Sequence, residues 1–348
     1  MTLPARASFI GYRLQSKRPL QRSERIFRNV FSPPMNNKGI WEHNTPYSKL
    51  LITVGIVLLS TMAFTFISIL ASSFLFHISI ADLQNIITDF ENPGVVSVLK
   101  LIQTLTSLGS FVIPPFLLAY LFSQNTGEYL FLKKGVNGMN ILLVILCMMA
   151  AVPLINFLAE LNSKMALPSF LSSLEGWMKE KEAAAAGITK KFLEIKSTPE
   201  LILNLGMMAL IPALGEELLF RGIVQRIFSD WTKNVHGGIW ISSVLFSAMH
   251  MQFYGFIPRL MLGVLLGYML VWSGSLWLPI IAHFFNNASA VIFIFLFNRG
   301  SISIDPDKIG TDESSSSYLI AGTVIFLSLL YVFYGRLKEK NVATDFSD

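Results

Sequence analysis

The chain has 348 residues, of which 53% are hydrophobic and only 14% are charged. This composition excludes an ordinary soluble globular domain, because it cannot supply enough polar surface. The net charge of +5 would suit a nucleic-acid-binding protein, but the basic excess lies mainly in residues 1–49, so no nucleic-acid partner is expected. The single cysteine, Cys147, excludes an intrachain disulfide and a cysteine-based metal framework.

Residues 1–49 form a strongly basic segment. Because basic residues are retained on the cytoplasmic side of membranes, this segment is predicted to be a cytoplasmic tail that fixes the amino terminus inside. Two alternatives are a site for anionic lipid head groups and an organelle transit peptide. The basic residues are Arg6, Arg13, Lys17, Arg18, Arg22, Arg25, Arg28, Lys38 and Lys49, against Glu24 and Glu42.

Beyond the tail, the apolar residues fall into long runs without Asp, Glu, Lys or Arg, and a helix of this length can cross a bilayer. The first run is too long for the apolar region of a cleaved signal peptide, so we interpret it as a retained anchor. Residues 50–159 are predicted to form three accessory transmembrane helices, with uncharged runs at 50–76, 101–127 and 139–159.

Residues 160–198 are predicted to form an amphipathic loop with mixed charge. Phe170, Leu174 and Trp177 recur at helical spacing, and strong helix formers follow them. This pattern is typical of a helix that lies on the membrane surface. One hypothesis makes it a lid over a substrate entrance, and the alternative is a solvated connector.

Residues 199–298 contain the remaining core helices, beginning with an apolar helix at about 201–228 that is interrupted by Glu216-Glu217. An uncharged run at 234–258 follows. The next run, 260–298, is too long for one span, and Ser273-Gly274-Ser275 divides it into helices at about 258–273 and 276–297. Residues 299–317 are then predicted to be a linker, and 318–348 a final transmembrane helix and a cytoplasmic tail.

These elements predict an all-α fold, a polytopic transmembrane bundle of about eight membrane helices. Such a protein is an integral, multi-pass membrane protein whose first partner is the lipid bilayer. The charge distribution places both termini in the cytoplasm, and we expect a bacterial plasma membrane. Nothing in the sequence indicates an oligomeric state.

The helix near residue 216 carries two adjacent carboxylates where burial of charge is costly. Glu217 and Arg221 are four residues apart and share a helical face, whereas Glu216 points about 100° away. Arg221 is thus expected to neutralise Glu217 and to leave Glu216 unpaired. An unpaired carboxylate in a cavity of low dielectric constant suits a general base, so Glu216 is the candidate. The alternative is a buried ion network that only ties helices together.

Two histidines lie in other apolar segments, His250 in the run 234–258 and His283 in the helix 276–297. Phe246 precedes His250 by one turn and is expected to restrict its ring. Asn287 follows His283 by one turn on the same face, and paired donors of this kind can stabilise an oxyanion. A helix-to-helix hydrogen bond is the alternative for Asn287. If the helices were straight, His250 would lie nearer the outer side than Glu216.

These residues resemble the motifs of the CPBP family, which comprises CAAX proteases and bacteriocin-processing, Abi-like enzymes. The family motifs E-E-x-x-x-R, F-x-x-x-H and H-x-x-x-N occur in order within residues 200–298. They are matched by Glu216-Glu217-Leu218-Leu219-Phe220-Arg221, by Phe246-Ser247-Ala248-Met249-His250 and by His283-Phe284-Phe285-Asn286-Asn287.

The resemblance implies an intramembrane endopeptidase that acts on a membrane-associated or lipidated protein or peptide. Glu216 and His250 would activate water, and His283 and Asn287 would hold the oxyanion. Glu217, Arg221 and Phe246 would shape the site. The family is often named as metalloprotease, and Glu216, His250 and His283 are candidate ligands of Zn²⁺.

Three alternatives to a metal-free peptidase remain open from the sequence. Zinc is the first, although the chain lacks H-E-x-x-H and direct activation of water by glutamate and histidine is favoured. The second is a non-proteolytic membrane scaffold or bacteriocin-immunity protein. The third is a transporter whose buried carboxylate binds a proton or a cation.

Overall fold

A computed structural model describes residues 39–82, 93–303, 305, 308–311 and 316–345, without the side chains of residues 93 and 339–345. The predicted basic tail lies outside the described residues except for 39–49. Within this part, the helices longer than ten residues are α1 (Pro46–Phe76), α2 (Gly94–Phe122), α3 (Gly138–Ser163), α4 (Ser172–Phe192), α5 (Thr198–Thr232), α6 (Val235–Met249), α7 (Phe256–Ser273), α8 (Trp277–Asn298) and α9 (Ser316–Asp345).

The described part of the chain contains seven helices that are long and apolar enough to cross a membrane, namely α1, α2, α3, α5, α7, α8 and α9. Helix α6 is a shorter apolar helix. Together they confirm the predicted all-α, polytopic bundle of about eight membrane helices.

Polar caps begin several of these helices. The side chain of Thr45 accepts a hydrogen bond from the amide of Ser48 at the start of α1, where Pro46 occupies the first turn. Asn137 caps α3 and Ser197 caps α5 in the same manner. These caps satisfy backbone N–H groups that have no partner inside the helix.

Helix α4 is the predicted amphipathic segment, and it packs on the loop between α6 and α7. The ring of Trp177 lies 5.6 Å from that of Phe253, and a carboxylate oxygen of Glu182 accepts from the amide of Tyr254 at 3.3 Å. Phe170, just before α4, is 81% exposed, which suits insertion into a lipid surface. The structure thus places α4 beside the chain that follows His250.

The run 234–258 was predicted as a single apolar segment, but the structure divides it. Helix α6 ends at Met249, His250 caps it, and Met251 adopts a left-handed conformation with φ of 53°. A left-handed residue directs the chain out of the helix axis, so the helix cannot continue. After a short loop the chain turns back and α7 begins at Phe256.

Helices α5 and α6 form an antiparallel hairpin that sets the depth of the site. The hairpin turns at Lys233, which is left-handed with φ of 53°, and the side chain of Asn234 caps α6. Glu216 and His250 lie equally far along the chain from Lys233, on opposite arms of the hairpin. Across this hairpin the side chains of the two residues meet, with Nε2 of His250 3.9 Å from Oε2 of Glu216.

Two π-helical turns, Leu205–Leu210 and Phe220–Val224, flank the α-helical segment Ile211–Leu219 of α5, which carries Glu216 and Glu217. A π turn holds one more residue per hydrogen bond than an α turn, and such turns are frequent at functional sites. The carboxylates therefore stand on a regular segment between two wider ones.

Helix α7 approaches α5 and α6 closely at two glycines. A Cβ added to Gly263 would lie 3.0 Å from the Cβ of Ser243, and one added to Gly267 would lie 2.9 Å from Oε1 of Gln225. The small residues expose backbone carbonyls to α5. Arg221 donates to the carbonyl of Gly263 at 3.1 Å, and Gln225 donates to that of Gly267 at 3.3 Å.

Candidate active site

Glu217 is the centre of a fully buried polar cluster. Its Oε1 accepts from Nη1 of Arg221 at 2.8 Å and from Nδ1 of His283 at 2.9 Å. The side chains of Glu217 and Arg221 are 0% and 1% exposed. Arg221 therefore pairs with the carboxylate on its own helical face, while the same carboxylate orients an imidazole that projects from α8.

Glu216 has a different environment from its neighbour. Its Oε2 is buried and has no hydrogen-bond partner among the described residues. The same oxygen lies 3.9 Å from Nε2 of His250 and 3.9 Å from Nε2 of His283. This distance is too long for a direct hydrogen bond, but one water molecule can bridge it.

Both imidazoles are held through Nδ1. The Nδ1 of His250 lies 2.9 Å from the carbonyl oxygen of Phe246, and that of His283 contacts Glu217. Carbonyl and carboxylate oxygens only accept hydrogen bonds, so Nδ1 donates in each ring. In the neutral form, each Nε2 is then an acceptor that faces Glu216.

Phe246 packs against three of these side chains. The centroid of its ring lies 4.6 Å from the guanidinium carbon of Arg221, 5.1 Å from the ring centroid of His250 and 5.9 Å from that of His283. The two imidazole rings meet it edge to face. Phe246, which is 1% exposed, thus restricts both imidazoles and covers the buried cation.

The site is most open on the side of His250. The side chain of His250 is 27% exposed, against 11% for Glu216 and 4% for His283. His250 also stands at the end of α6, beside the loop on which α4 packs. His283 forms the inner wall of the same space.

Asn287 lies one turn beyond His283 on α8 and contacts α5. Its Nδ2 is 3.5 Å from the carbonyl oxygen of Met208, in the π turn Leu205–Leu210, and its Oδ1 accepts from Asn286 at 3.2 Å. A π turn displaces backbone carbonyls from their α-helical donors, which makes the carbonyl of Met208 available. In this structure Asn287 therefore makes a helix-to-helix hydrogen bond.

The spacing of the donors tests whether zinc fits. Adjacent ligands of a tetrahedral Zn²⁺ lie roughly 3.3 Å apart, given bonds of about 2.0–2.1 Å. The carboxylate oxygen of Glu216 is 3.9 Å from the Nε2 atoms of both His250 and His283. In the described residues, no three His, Cys, Asp or Glu side chains form a group that could hold a metal ion. The arrangement does not fit zinc.

The sequence did not indicate two contacts of this site. The hydrogen bond between Glu217 and His283 joins α5 to α8, and the bond from Arg221 to Gly263 joins α5 to α7. Both depend on how separate helices pack. A polar residue within an apolar run signals only that a partner exists.

Comparison with known proteins identifies the segment that carries the site. Residues 198–289 match the family model described as type II CAAX prenyl endopeptidase Rce1-like. This segment contains Glu216, His250, His283 and Asn287. The match confirms the resemblance that the motifs indicated.

Two curated proteins are similar to part of this chain. The chain is 35% identical over 106 residues to the uncharacterized protein YpbD of Bacillus subtilis, and the aligned region covers 29% of this chain and 49% of that protein. It is 32% identical over 112 residues to an uncharacterized 24.3 kDa protein of Escherichia coli, and the aligned region covers 30% of this chain and 50% of that protein. The chain thus spans about half the length of these relatives. No solved structure matches.

Proposed function

We propose that this chain, an integral multi-pass membrane protein with an Rce1-like segment at residues 198–289, is an intramembrane endopeptidase of the CAAX-protease type. The observation that carries the proposal is the position of Glu216 Oε2, 3.9 Å from Nε2 of both His250 and His283. One carboxylate and two imidazoles around a water-sized gap form an acid–base site.

In the proposed mechanism, Glu216 and His250 bind the attacking water between them. Glu216 takes one proton from the water, and the oxygen attacks the carbonyl carbon of the scissile peptide bond. The tetrahedral intermediate then collapses as the protonated Glu216 gives its proton to the leaving nitrogen. The carbon–nitrogen bond breaks, and a carboxylic acid and an amine are released.

His283 and Asn287 are proposed to stabilise the oxyanion of the intermediate. The Nδ1 proton of His283 is donated to Glu217. His283 can therefore donate a hydrogen bond to the oxyanion when its Nε2 also carries a proton. The long 3.5 Å contact to Met208 uses only one of the two amide protons of Asn287. The other proton is available to the substrate. Glu217, Arg221 and Phe246 fix the ring of His283.

The substrate is proposed to be a membrane-associated or lipidated peptide or protein. Glu216 and His283 lie on helices that are long and apolar enough to cross a membrane, so a peptide held in the membrane would reach them most directly. We further propose that the protein lies in a bacterial plasma membrane with both termini cytoplasmic, as the basic residues indicate. In this proposed orientation helix α4, which packs on the loop after His250, would lie on the outer side and act there as a lid over the substrate entrance.

Replacement of either histidine tests the proposal. We expect His250→Ala and His283→Ala each to lower kcat for cleavage of a prenylated peptide about 10²–10⁴-fold, because each removes a proton-transfer or oxyanion group. Cleavage is measured by mass spectrometry with purified protein in lipid nanodiscs. Folding is checked by size-exclusion chromatography of the same samples.

His236→Ala is the matched control for these variants. His236 belongs to α6, as does the turn that leads to His250, but it bonds to Tyr268 at 2.8 Å near the other end of the helix. We expect its kcat to remain close to that of the unchanged protein. Full turnover in His250→Ala and His283→Ala would contradict the proposed function.

Chelation is expected to leave cleavage unchanged. The proposed steps use only the side chains of this chain, and the donor spacing does not fit zinc. The measurement is turnover after incubation with 1,10-phenanthroline and gel filtration, with a soluble zinc peptidase in the same buffer as positive control. Loss of turnover that added Zn²⁺ restores would refute the metal-free mechanism.

A further inference from the structure

The chain that follows His250 adopts an unfavourable conformation. Met251 adopts the left-handed conformation, with φ of 53°, although it is neither glycine nor asparagine. A left-handed conformation brings the Cβ of such a residue close to the following carbonyl oxygen. Residues held in this region persist only where the surrounding structure fixes them. The loop Met251–Gly255 must therefore be held from outside.

Asn162, at the end of α3, supplies that hold. Its Nδ2 donates to the carbonyl of Phe253 at 3.2 Å, and its Oδ1 accepts from the amide of Ile257 at 2.7 Å. Phe253 lies within the loop and Ile257 near the start of α7, so one amide group joins the loop to α7. Ile257 lies in the first turn of α7, where backbone N–H groups lack helical partners. Asn162 is 5% exposed, and burial makes both bonds stronger.

Further contacts act on the same loop, among them the guanidinium of Arg259, which donates to the side chain and to the carbonyl oxygen of Gln252. Ser247 donates its hydroxyl proton to the carbonyl of Phe256 at 2.7 Å, and Glu182 of α4 accepts from the amide of Tyr254 at 3.3 Å. Ser247 belongs to α6, so its bond ties the helix that ends before Met251 to the first residue of α7. Asn162 lies outside residues 198–289, the segment that matches the family model.

We propose that Asn162 is a positioning residue for His250. Asn162 fixes the loop after Met251 to the start of α7, to which Ser247 ties α6, and so keeps the end of α6, with the ring of His250, at one-water distance from Glu216. This inference rests on the proposed function. It assigns a role at the site to an accessory helix.

The first test is Asn162→Ala in purified protein. Because small displacements of a reacting group reduce the rate of the chemical step, we expect kcat to fall about 10- to 100-fold. KM is expected to stay nearly constant, since Asn162 does not contact the substrate. Asn156→Ala is the matched control: Asn156 is on the same helix and bonds to the carbonyl of Ile309 at 3.1 Å, away from this loop. We expect full kcat from this control.

Met251→Gly provides the decisive second measurement. Glycine adopts the left-handed conformation without steric cost, so the loop needs the hold of Asn162 less. Met251 is 45% exposed, and its removal therefore sacrifices little packing. We expect the double variant Asn162→Ala with Met251→Gly to recover at least part of the lost kcat. If Asn162 only stabilised the fold, added glycine would lower activity further, and that result would overturn the proposal.

Glu182→Ala keeps the inference testable if Asn162→Ala does not fold. This change removes one contact of the loop from a surface helix, and we expect a smaller fall in kcat that Met251→Gly again reverses. An unchanged kcat in both Asn162→Ala and Glu182→Ala would refute the positioning role.

Hydrogen exchange separates this inference from the proposed function. The amide of Ile257 is protected by Asn162, so its exchange is expected to speed up in Asn162→Ala and not in Asn156→Ala, with no substrate present. An unchanged exchange rate of the Ile257 amide in Asn162→Ala would show that Asn162 does not fix the loop. Exchange at Ile257 could speed up in Asn162→Ala while the protein without substitutions cleaves no peptide. That result would show that Asn162 fixes the loop, but it would refute both the proposed function and the catalytic role of this contact.

Discussion

Glu216→Gln is expected to abolish peptide cleavage, with a fall in kcat of about 10³-fold or more. The amide has the size of the carboxylate but cannot accept a proton from water, and general acid–base groups contribute on the order of 10²–10⁴-fold. Glu216 acts twice in the proposed mechanism, first as base and then as acid. The change breaks no hydrogen bond at Oε2, which has no partner in the described structure, so the fold is expected to remain intact. Single-turnover cleavage in nanodiscs measures the effect.

Asp230→Asn is the control for this experiment. Asp230 lies on the same helix and pairs with Lys233 in an exposed contact, where ion pairs contribute little. A fully active Glu216→Gln variant would disprove the assignment of the base. A variant that loses cleavage but preserves the cellular phenotype would favour the scaffold alternative. Proton flux in reconstituted vesicles that depends on Glu216 would favour the transporter.

Glu217→Gln is expected to have the largest effect on stability. The carboxylate of Glu217 neutralises Arg221 where both side chains are fully buried, and removing one partner of a buried pair costs about 3–5 kcal/mol. An amide oxygen in the position of Oε1 can still accept from both Nδ1 of His283 and Nη1 of Arg221, but the amide carries no charge to neutralise the buried guanidinium. The unfolding midpoint should fall by roughly 6–20 °C, at about 2–4 °C per kcal/mol.

Glu160→Gln is the matched control for this measurement. Glu160 pairs with Lys164 at the same four-residue spacing, but the two side chains are 32% and 69% exposed. Exposed pairs contribute about 0–1 kcal/mol, so the midpoint should change little. Thermal unfolding of purified protein, followed by light scattering and intrinsic fluorescence, compares the two variants. Equal shifts for Glu160→Gln and Glu217→Gln would show that burial does not determine the effect.

The helices of this fold could be predicted because the bilayer imposes a simple requirement on length and polarity. The pairing of Glu217 with Arg221 could be predicted as well, since it depends only on the geometry of one helix. The segment 234–258 shows the limit of this reasoning. Hydropathy does not distinguish a continuous apolar helix from one that ends at Met249 and resumes at Phe256.

The remaining features depend on contacts between helices. The π turns of α5 depend on hydrogen bonds that change partner by one residue, and no residue type marks them in the sequence. The position of His283 at Glu217, and the contact of Asn287 with Met208, follow from how α8 packs on α5. The three motifs located the chemistry, but only the structure gave its distances.

Under the proposed function, the 35-residue length of α5 has a consequence for how substrates would be selected. At 1.5 Å per residue this helix measures about 52 Å, whereas the hydrocarbon layer is about 30 Å thick. Glu216 is near its midpoint, roughly 25 Å from either end. We therefore expect discrimination by depth: polypeptides dissolved in water rarely meet this carboxylate, whereas chains anchored in lipid diffuse past it sideways, and anchoring alone enriches them as substrates.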